Sequence, residues 1–316
     1  MKVLVTGVGG FIGAHVARRF ANAGYDVVGV DDFSSGHRKN VPQGIDLVVG
    51  DLAETITIDA LPRGCKLILH LAGQSSGEVS FDDPIQDLRK NTVSTLNLIH
   101  YGVDNKASRF VYASSMSVYG NVPDAPVDEL TPCRPLSCYG VGKLATENYL
   151  RVYSGQLPFV ALRMFNVYGP GQDMSNLRQG MVSIFLAQAL TGGKVHVKGS
   201  LDRYRDFIYI DDVVEAWYRA ATFSESVNQV INLGTGTRTT VGQLLEAIHT
   251  HIPEITWHDH GCTPGDQHGV YSDPGTLARI LSIESFIPLE TGVRNFIKWA
   301  IENIRHDSNR KTTYKN

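Results

Sequence analysis

The first half of the chain alternates short apolar runs with longer amphipathic stretches. Six runs are nearly continuously apolar and rich in β-branched residues, which is typical of strands buried on both faces. They are residues 2–7, 26–31, 46–51, 66–73, 109–115 and 159–166. Between them, residues 13–24 and 85–103 carry apolar positions at helical spacing. This alternation predicts an α/β fold built on a doubly wound parallel sheet.

After about residue 168 the order of the elements changes. The pattern indicates a helix at about 180–192, a strand at 194–199, an apolar segment at 205–221, a strand at 229–236, and helices at 240–252 and 289–304. This mixed order predicts a smaller α+β domain at the carboxyl edge of the sheet, where doubly wound folds bind ligands.

The predicted domains follow from these two patterns. They are a nucleotide-binding domain at 1–167, to which 206–236 returns, a substrate-binding domain at 168–205 and 237–306, and a frayed polar tail at 307–316.

Composition narrows the possible partners. The chain has 316 residues, of which 42% are hydrophobic and 19% charged, with a net charge of −3. This balance gives no electrostatic case for binding nucleic acid or an anionic membrane, so we expect a small-molecule partner.

Targeting and metal motifs are missing from the sequence. No stretch reaches the ~18 uninterrupted apolar residues of a membrane-spanning helix, and glycines break the apolar start of the chain. We therefore expect a cytoplasmic protein. The four cysteines form no CxxC and the 11 histidines no HExxH, so we expect no metal site.

A glycine pattern lies at the first strand-to-helix turn. Gly7, Gly10 and Gly13 form GxxGxxG there. Glycines at this turn let the backbone approach a pyrophosphate, which the helix N-terminus then stabilises. The pattern predicts a Rossmann-type dinucleotide site.

The end of the second strand bears on the choice of cofactor. Asp31 closes that strand at the position where a carboxylate would bind ribose hydroxyls, and Asp32 follows it. Two negative charges oppose a 2′-phosphate and favour NAD over NADP. Arg38 and Lys39 argue the other way, but they lie further out, in a segment typical of a solvated loop.

Tyr139 and Lys143 lie four positions apart, so on a helix both would face one pocket. Lowering the pKa of a tyrosine from about 10 to about 7 requires roughly 4 kcal/mol in favour of the phenolate. A nearby ammonium supplies on the order of 2–4 kcal/mol, and oxidised nicotinamide adds a second positive charge. Ser114, Ser115 and Ser117 end a strand at the same edge and offer a hydroxyl to hold the reacting oxygen.

Taken together, the motifs resemble the extended short-chain dehydrogenase/reductases. The matching segments are GxxGxxG, "ASSMSVYG", YxxxK, "HLAG", "FNVYGPGQ", "RDFIYIDDVV" and "NLGTG", and they extend over nearly the whole chain. Within that group the chain is most similar to the NAD-dependent epimerase/dehydratase family, in the branch of UDP-glucose (UDP-galactose) 4-epimerases.

The resemblance implies a role for each matching position. Tyr139 would be the acid/base, Lys143 its activator and a ribose ligand, and Ser115 the hydroxyl that helps to move the 4-OH proton. The implied NAD site consists of Gly7, Gly10, Phe11, Ile12, Asp31, Asp32, Ser35, Gly36, Asp51, Leu52, Leu71, Ala72, Asn91, Tyr139, Lys143 and Phe165. The implied sugar-nucleotide site consists of Ser115, Asn166, Arg205, Asp266 and Val270. Alternatives remain: Ser114 or Ser117 could react instead, and Arg205 could be a structural partner of Asp206 or Asp211.

The chain also departs from the family pattern. Cys138 replaces a proline that commonly precedes the tyrosine, and Thr263 stands where galactose epimerases commonly carry a phosphate-binding arginine. Met116 and Ser117 replace the Asp-Glu pair of the dehydratase branch, which counts against 4,6-dehydration. The implied activity is 4-epimerisation of a nucleotide sugar. The alternative is a reductase or dehydratase of a 4-keto-6-deoxy sugar nucleotide.

Two further expectations come from the resemblance. Val270 matches a position that borders C2 of the sugar, where a small side chain leaves room for an N-acetyl group. We therefore expect UDP-N-acetylhexosamines to be accepted alongside or in preference to UDP-hexoses. The family is also dimeric, so we expect a homodimer through the helices at 85–103 and 139–153.

Overall fold

Seven parallel strands form the central sheet of the protein. The structure is a computed structural model that describes residues 1–260 and 268–313. The strands are β1 (Lys2–Thr6), β2 (Asp26–Asp31), β3 (Asp46–Val49), β4 (Leu67–His70), β5 (Arg109–Ser115), β6 (Phe159–Met164) and β11 (Gln229–Leu233). Their order is β11-β6-β5-β4-β1-β2-β3. Strands are added in one direction from β1 and in the opposite direction from β4, so the strand order reverses between β4 and β1. This confirms the predicted doubly wound α/β fold. A ligand crevice is expected at the carboxyl ends of the strands near this reversal.

Helices cover both faces of this sheet. They are α1 (Phe11–Asn22), α2 (Thr55–Asp59), α3 (Pro84–Leu88), α4 (Ser94–Asp104), α5 (Cys138–Tyr153) and α7 (Ile210–Thr222). On one face α1 packs against α7 around Phe20 and Trp217, and on the other α4 and α5 pack around Ile99 and Leu150. The predicted helix at 85–103 is interrupted by a π-helical segment, Arg89–Val93. Such segments often occur at functional sites.

A second group of elements lies beyond residue 165. It contains β7 (Asn166–Tyr168), α6 (Met181–Gly192), β8 (Lys194–Lys198), β9 (Tyr204–Arg205), β10 (Phe207–Tyr209), β12 (Thr239–Thr240), α8 (Val241–His249), β13 (Thr256–His260), β14 (Gly269–Val270), α9 (Gly275–Leu281) and α10 (Leu289–Thr313). Helices α6, α8 and α10 share one apolar cluster. The backbone of α10 continues to Thr313, through part of the segment expected to fray, since no Gly or Pro interrupts 293–313.

The small sheets of this second group were not predicted. They pair as β7 with β10, β8 with β13, and β12-β9-β14. The strand predicted at 194–199 corresponds to β8, whereas β7, β9, β10, β12 and β14 have only two or three residues and are too short to show a hydrophobic period. The five-residue strand β13 was also missed. Segment 206–236 contributes β11 to the large sheet and α7 to one of the faces that cover it, which supports our proposal that it belongs with the nucleotide-binding part.

A buried ion pair fixes α5 to the sheet. Glu147 and Arg163 have 0% and 2% of their side chains exposed, and the Arg163 Nη2 lies 2.7 Å from the Glu147 Oε2. The Arg163 Nε donates a second bond of 2.9 Å, and the Ser114 hydroxyl donates to Glu147 at 2.6 Å. These bonds hold α5 against β5 and β6.

In the described residues, no helix combines the length and apolarity needed to cross a bilayer.

Candidate active site

The turn between β1 and α1 is open to a phosphate-bearing ligand. Gly7 has a φ of +68°, and a Cβ on Gly13 would clash with the Gly7 carbonyl oxygen. Helix α1 follows Gly10 with no side-chain cap and no acidic residue in its first turn. Its N-terminal N–H groups therefore present positive potential to the crevice. This turn fits the diphosphate of a dinucleotide, as the sequence predicts.

Asp31 is buried at the end of β2, and its carboxylate forms hydrogen bonds within the protein. Its carboxylate accepts hydrogen bonds from the main-chain N–H groups of Gly9 and Phe33, both at 2.8 Å. The loop after β2 also packs on the glycine turn, since a Cβ on Gly36 would lie 2.8 Å from the Gly9 carbonyl carbon. Asp31 thus shapes the glycine turn from the position where the sequence placed a ribose ligand.

Asp32 and Asp51 share a cation that sequence reasoning missed. The Lys90 ammonium pairs with Asp32 and lies 2.9 Å from the Asp51 Oδ2. The two predicted acidic residues are therefore partly neutralised in the folded protein. Lys90 lies in a predicted amphipathic helix, where a lysine is usually solvated, so no local signal marks this pairing.

Asn91 has a buried oxygen without a partner among the described residues. Its Nδ2 donates to the Asp87 Oδ1 at 3.0 Å, whereas its Oδ1 accepts no hydrogen bond. The facing residue is Gly73, where a Cβ would lie only 2.5 Å from that oxygen. Because buried polar atoms are usually satisfied, this oxygen fits an edge that a polar ligand completes.

The other predicted cofactor residues lie along the same edge. Phe11 and Ile12 begin α1, Ser35 is exposed in the loop after β2, and Leu52 is buried just after β3. Leu71 and Ala72 follow β4, and their N–H groups donate to the Thr6 hydroxyl at 3.0 and 2.9 Å.

The structure brings Tyr139, Lys143 and Ser115 together. Helix α5 begins after Ser137, whose hydroxyl accepts from the Gly140 N–H at 3.1 Å, and this cap places Tyr139 in the first turn. Both Tyr139 and Lys143 are buried, and the Lys143 Nζ lies 5.4 Å from the centre of the Tyr139 ring. The Ser115 hydroxyl lies close enough to the Tyr139 phenol to lower the pKa of Tyr139.

The three candidate serines point in different directions. Ser114 is buried and donates to Glu147, on the opposite side of β5 from Ser115, as the alternation of a strand requires. The Ser115 hydroxyl donates to that of Ser117 at 3.2 Å. These contacts favour Ser115 as the hydroxyl beside Tyr139, with Ser117 next to it.

The pKa of Tyr139 differs from the direction expected from sequence. Burial raises the pKa of Tyr139 to about 12; the Ser115 hydroxyl lowers it and the Asp87 carboxylate raises it further. Burial lowers the pKa of Lys143 to about 8, although Asp87 raises it. The Lys143 ammonium alone would lower the pKa of Tyr139, but the loss of water around a buried phenol favours its neutral form. In the chain alone Tyr139 is therefore a proton donor at neutral pH.

Asp87 is a second charged residue, after Lys90, that sequence reasoning missed. It is buried and accepts hydrogen bonds from the Gln74 Nε2 at 3.1 Å and the Asn91 Nδ2 at 3.0 Å. Burial raises the pKa of Asp87 to about 6, while Lys143 and the Asn91 hydrogen bond lower it. Its position four residues before Asn91 on one helical pattern was the only available signal.

A cavity of about 340 Å³ adjoins the Tyr139 group. Met116, Ser117 and Asn166 line one end, and Arg205 lies in the wall. The Asn166 Nδ2 donates to the Met116 Sδ at 3.4 Å and to the Asp206 carbonyl oxygen at 3.3 Å. The cavity therefore contains both Asn166 and Arg205, which the sequence assigned to the substrate.

Arg205 and Asp206 have different surroundings. Arg205 is buried, and its Nη1 donates to the Tyr204 carbonyl oxygen at 2.7 Å. The Asp206 carboxylate accepts bonds from Thr235, Gly236 and Ser272 that range from 2.6 to 3.1 Å. Asp206 thus organises the loop after β11, while Arg205 remains in the cavity wall.

The far end of the cavity carries charges that the sequence did not single out. Gln188, His196 and Lys198 line this end. Glu78 pairs with Lys198 at 3.7 Å and with Arg178 at 3.3 Å. These pairs connect the segment after β4 with the segment before α6, through Arg178, and with β8, through Lys198.

Val270 lies behind the cavity rather than in its lining. It is fully buried in a cluster with Val118 and Phe165, and Met116 packs against that cluster from the cavity side. Asp266, and Thr263 with it, lie outside the described residues.

Comparison with known proteins extends these observations. The family profile described as "NAD dependent epimerase/dehydratase family" matches residues 3–234. The UDP-glucose 4-epimerase of Mycolicibacterium smegmatis is 36% identical over 257 residues, which cover 78% of this chain and 82% of that protein.

Solved structures of UDP-glucose 4-epimerases are also similar to this chain. The UDP-glucose 4-epimerase of Thermotoga maritima with UDP-glucose has a TM-score of 0.92 at 31% identity, covering 96% of this chain and 100% of that one. The UDP-glucose 4-epimerase of Thermus thermophilus in complex with NAD has a TM-score of 0.87 at 31% identity, covering 95% and 98%. UDP-glucuronic acid decarboxylase 1 of Xenopus tropicalis is 29% identical over 98% of this chain and 74% of that protein. Proteins similar to this chain therefore include enzymes named for different reactions.

Proposed function

We propose that this chain, which belongs to the NAD-dependent epimerase/dehydratase family, is a sugar-nucleotide 4-epimerase. NAD is its cofactor. The observation that carries the proposal is the contact of Tyr139 with Ser115 at one end of the cavity, with no carboxylate at positions 116 and 117 beside it.

The side chains divide the proton chemistry among them. Tyr139 takes the proton of the sugar 4-OH and later returns it, and Ser115 holds the same oxygen. Bound NAD supplies the hydride acceptor and donor, together with a positive charge that favours the phenolate. The Lys143 ammonium lies near the Tyr139 ring and also favours the phenolate. The low dielectric of the buried site strengthens this attraction. Epimerisation then leaves the 4-oxygen protonated again.

The cavity supports a nucleotide sugar as the substrate. The buried guanidinium of Arg205 presents donors in a fixed fork that suits a diphosphate. If the reacting carbon lies at Tyr139 and the diphosphate at Arg205, the part of the cavity that includes His196 is left to bind the nucleobase of the substrate. We propose UDP-glucose/UDP-galactose or the UDP-N-acetylhexosamines as the substrate. Val270 lies behind Met116, so we expect it to affect an N-acetyl group only through the position of Met116.

The two alternative reactions, dehydration and reduction, have requirements that differ from those of 4-epimerisation. A dehydratase needs a further general acid and base near C5 and C6. Among the described lining residues the one carboxylate is that of Glu78, which pairs with Arg178 and Lys198. A reductase, in turn, would consume one reduced cofactor per turnover.

The proposal is tested by product analysis without added cofactor. Purified protein is incubated with UDP-glucose, UDP-N-acetylglucosamine, and dTDP- and CDP-hexoses, and the products are identified by NMR. We expect the C4 epimer of at least one UDP sugar, at an equilibrium ratio. A 4-keto-6-deoxy product would instead support a dehydratase, and absence of conversion without added reduced cofactor would support a reductase.

We also propose a homodimer through α3 and α5. Both helices expose apolar side chains: Ile85 and Leu88 on α3, and Val141 and Val152, at 55% and 78%, about three turns apart on α5. Several exposed large apolar side chains on two neighbouring helices are consistent with an interface. The homodimer expected from the sequence would bury this surface against a second copy.

Charged substitutions on that face are expected to produce monomers. In the Val141→Glu/Val152→Glu variant, two carboxylates would be buried without partners, so the dimer should dissociate. Light scattering after gel filtration measures the mass. Leu130→Glu is the control, because Leu130 is 90% exposed outside these helices and should leave the dimer intact. A wild-type monomer, or a double variant that stays dimeric, would contradict the proposal.

A further inference from the structure

Lys90 connects the ends of two neighbouring strands at the ligand edge of the sheet. Asp32 follows β2, Asp51 lies just beyond β3, and the two strands are paired. The Lys90 ammonium pairs with both carboxylates, at 2.9 Å for Asp51. The exposed fractions are 18% for Lys90, 25% for Asp32 and 26% for Asp51. We call these three residues the Lys90 cluster.

All members of the Lys90 cluster are held by other contacts. Asp32 accepts bonds from the N–H and hydroxyl of Ser34 at 2.9 and 2.7 Å, and Asp51 accepts from the Ala53 N–H at 2.9 Å. Lys90 lies in the π-helical segment, and its carbonyl oxygen accepts from the Ser94 hydroxyl at 2.6 Å. The cluster is therefore a built feature of the fold.

The charges of the cluster are secure at neutral pH. Burial would raise the pKa of Asp32, but the bonds from Lys90 and Ser34 lower it below its ordinary value. Burial would lower the pKa of Lys90, but its bonds to Asp32 and Asp51 raise it above the ordinary value. An ammonium is thus fixed between two carboxylates, with a net charge of about −1 for the cluster.

The cluster lies where the two nicotinamide cofactors differ. In a doubly wound nucleotide fold, the residues at the end of β2 face the adenosine ribose, whose 2′ position carries a phosphate in NADP. Asp31 closes β2 there, and Asp32 comes next. A 2′-phosphate would meet both carboxylates, and it could attract Lys90 only at the expense of the pairs that Lys90 already makes.

We propose that Lys90 is a determinant of cofactor choice and that Asp32 holds it in the NAD-selective state. Without the Asp32 charge, one repulsion of the 2′-phosphate disappears and Lys90 keeps a single partner, Asp51. The released ammonium can then pair with a phosphate instead of a carboxylate. Arg38 and Lys39, which sequence reasoning considered as phosphate ligands, are both exposed, and Arg38 lies 4.8 Å above the Phe33 ring.

The test measures which cofactor the protein retains, and it needs no turnover. Each variant is equilibrated with equal concentrations of NAD and NADP, freed of unbound nucleotide and denatured, and the released nucleotides are quantified. Wild type should release mainly NAD. Asp32→Asn should raise the NADP to NAD ratio by roughly ten- to hundredfold, because each charge contact at a site that is only about a quarter exposed contributes about one factor of ten.

Two double variants identify the phosphate ligand. In Asp32→Asn/Lys90→Met most of the gain should disappear, whereas Asp32→Asn/Lys90→Arg should keep it, since arginine also binds phosphate. Circular dichroism checks that each variant is folded. Adding Arg38→Met to Asp32→Asn should leave the gain unchanged. A gain that survives Lys90→Met, or one that is lost with Arg38→Met, would overturn the proposal, as would an unchanged ratio in Asp32→Asn. Because only binding is measured, these outcomes are independent of whether the chain is a 4-epimerase.

Discussion

Replacing Tyr139 with phenylalanine is expected to lower turnover by about 10²–10⁴-fold while NAD stays bound. The ring keeps its volume in the buried site, but the hydroxyl that contacts Ser115 and carries the proton is lost. Turnover of a UDP sugar is measured by NMR, and the retained nucleotide is quantified after denaturation. Loss of turnover together with loss of NAD would indicate damage to the whole site rather than to proton transfer.

Two further variants make this prediction specific. Tyr112→Phe removes a hydroxyl from another buried tyrosine close to Lys143, and turnover should stay within about threefold of wild type. Lys143→Ala should reduce both turnover and NAD retention, since the ammonium is expected to serve both. If Tyr139→Phe kept activity within tenfold, Tyr139 would not be the acid/base.

Glu147→Ala is expected to lower the free energy of unfolding by about 3–5 kcal/mol, because it leaves the Arg163 charge buried without its partner. The pair is almost fully buried and joined by two bonds, at 2.7 and 2.9 Å. Arg163→Met should cost a similar amount. Equilibrium urea unfolding followed by circular dichroism measures both.

The same carboxylate provides a matched control. Arg151 lies 3.9 Å from Glu147 but is 49% exposed, so Arg151→Met should cost less than about 1 kcal/mol. The double variant Glu147→Ala/Arg163→Met removes both charges and should lose less stability than the sum of the two single variants. Equal losses for Arg151→Met and Arg163→Met would show that burial of the pair does not determine its contribution.

The features that the sequence predicted well have strong local signals. Strands buried on both faces appear as continuous apolar runs, so β1 to β6 were predicted with errors only at their ends. Gly7, Gly10 and Gly13 were recognisable because a close backbone turn accepts few other residues. Tyr139 and Lys143 were recognisable because helical spacing places them on one face.

The features that sequence reasoning missed depend on long-range packing. Asp87 and Lys90 have the charges of a solvated helix face, and only the fold places one in the interior and the other between two strand ends. The upward shift of the Tyr139 pKa comes from burial, which no motif encodes. The direction of Ser114 relative to Ser115 likewise depends on which face of β5 meets α5.

The most direct test of the proposed 4-epimerase follows one hydrogen atom. UDP-glucose and UDP-N-acetylglucosamine, each labelled with deuterium at C4, are incubated separately with the purified protein in ordinary water without added cofactor, and the products are examined by NMR. We predict that at least one of them gives its C4 epimer with deuterium retained at C4, because the hydride that leaves this carbon returns to it. Deuterium at C6 of a 4-keto product, or its loss from C4 without epimerisation, would contradict the assignment.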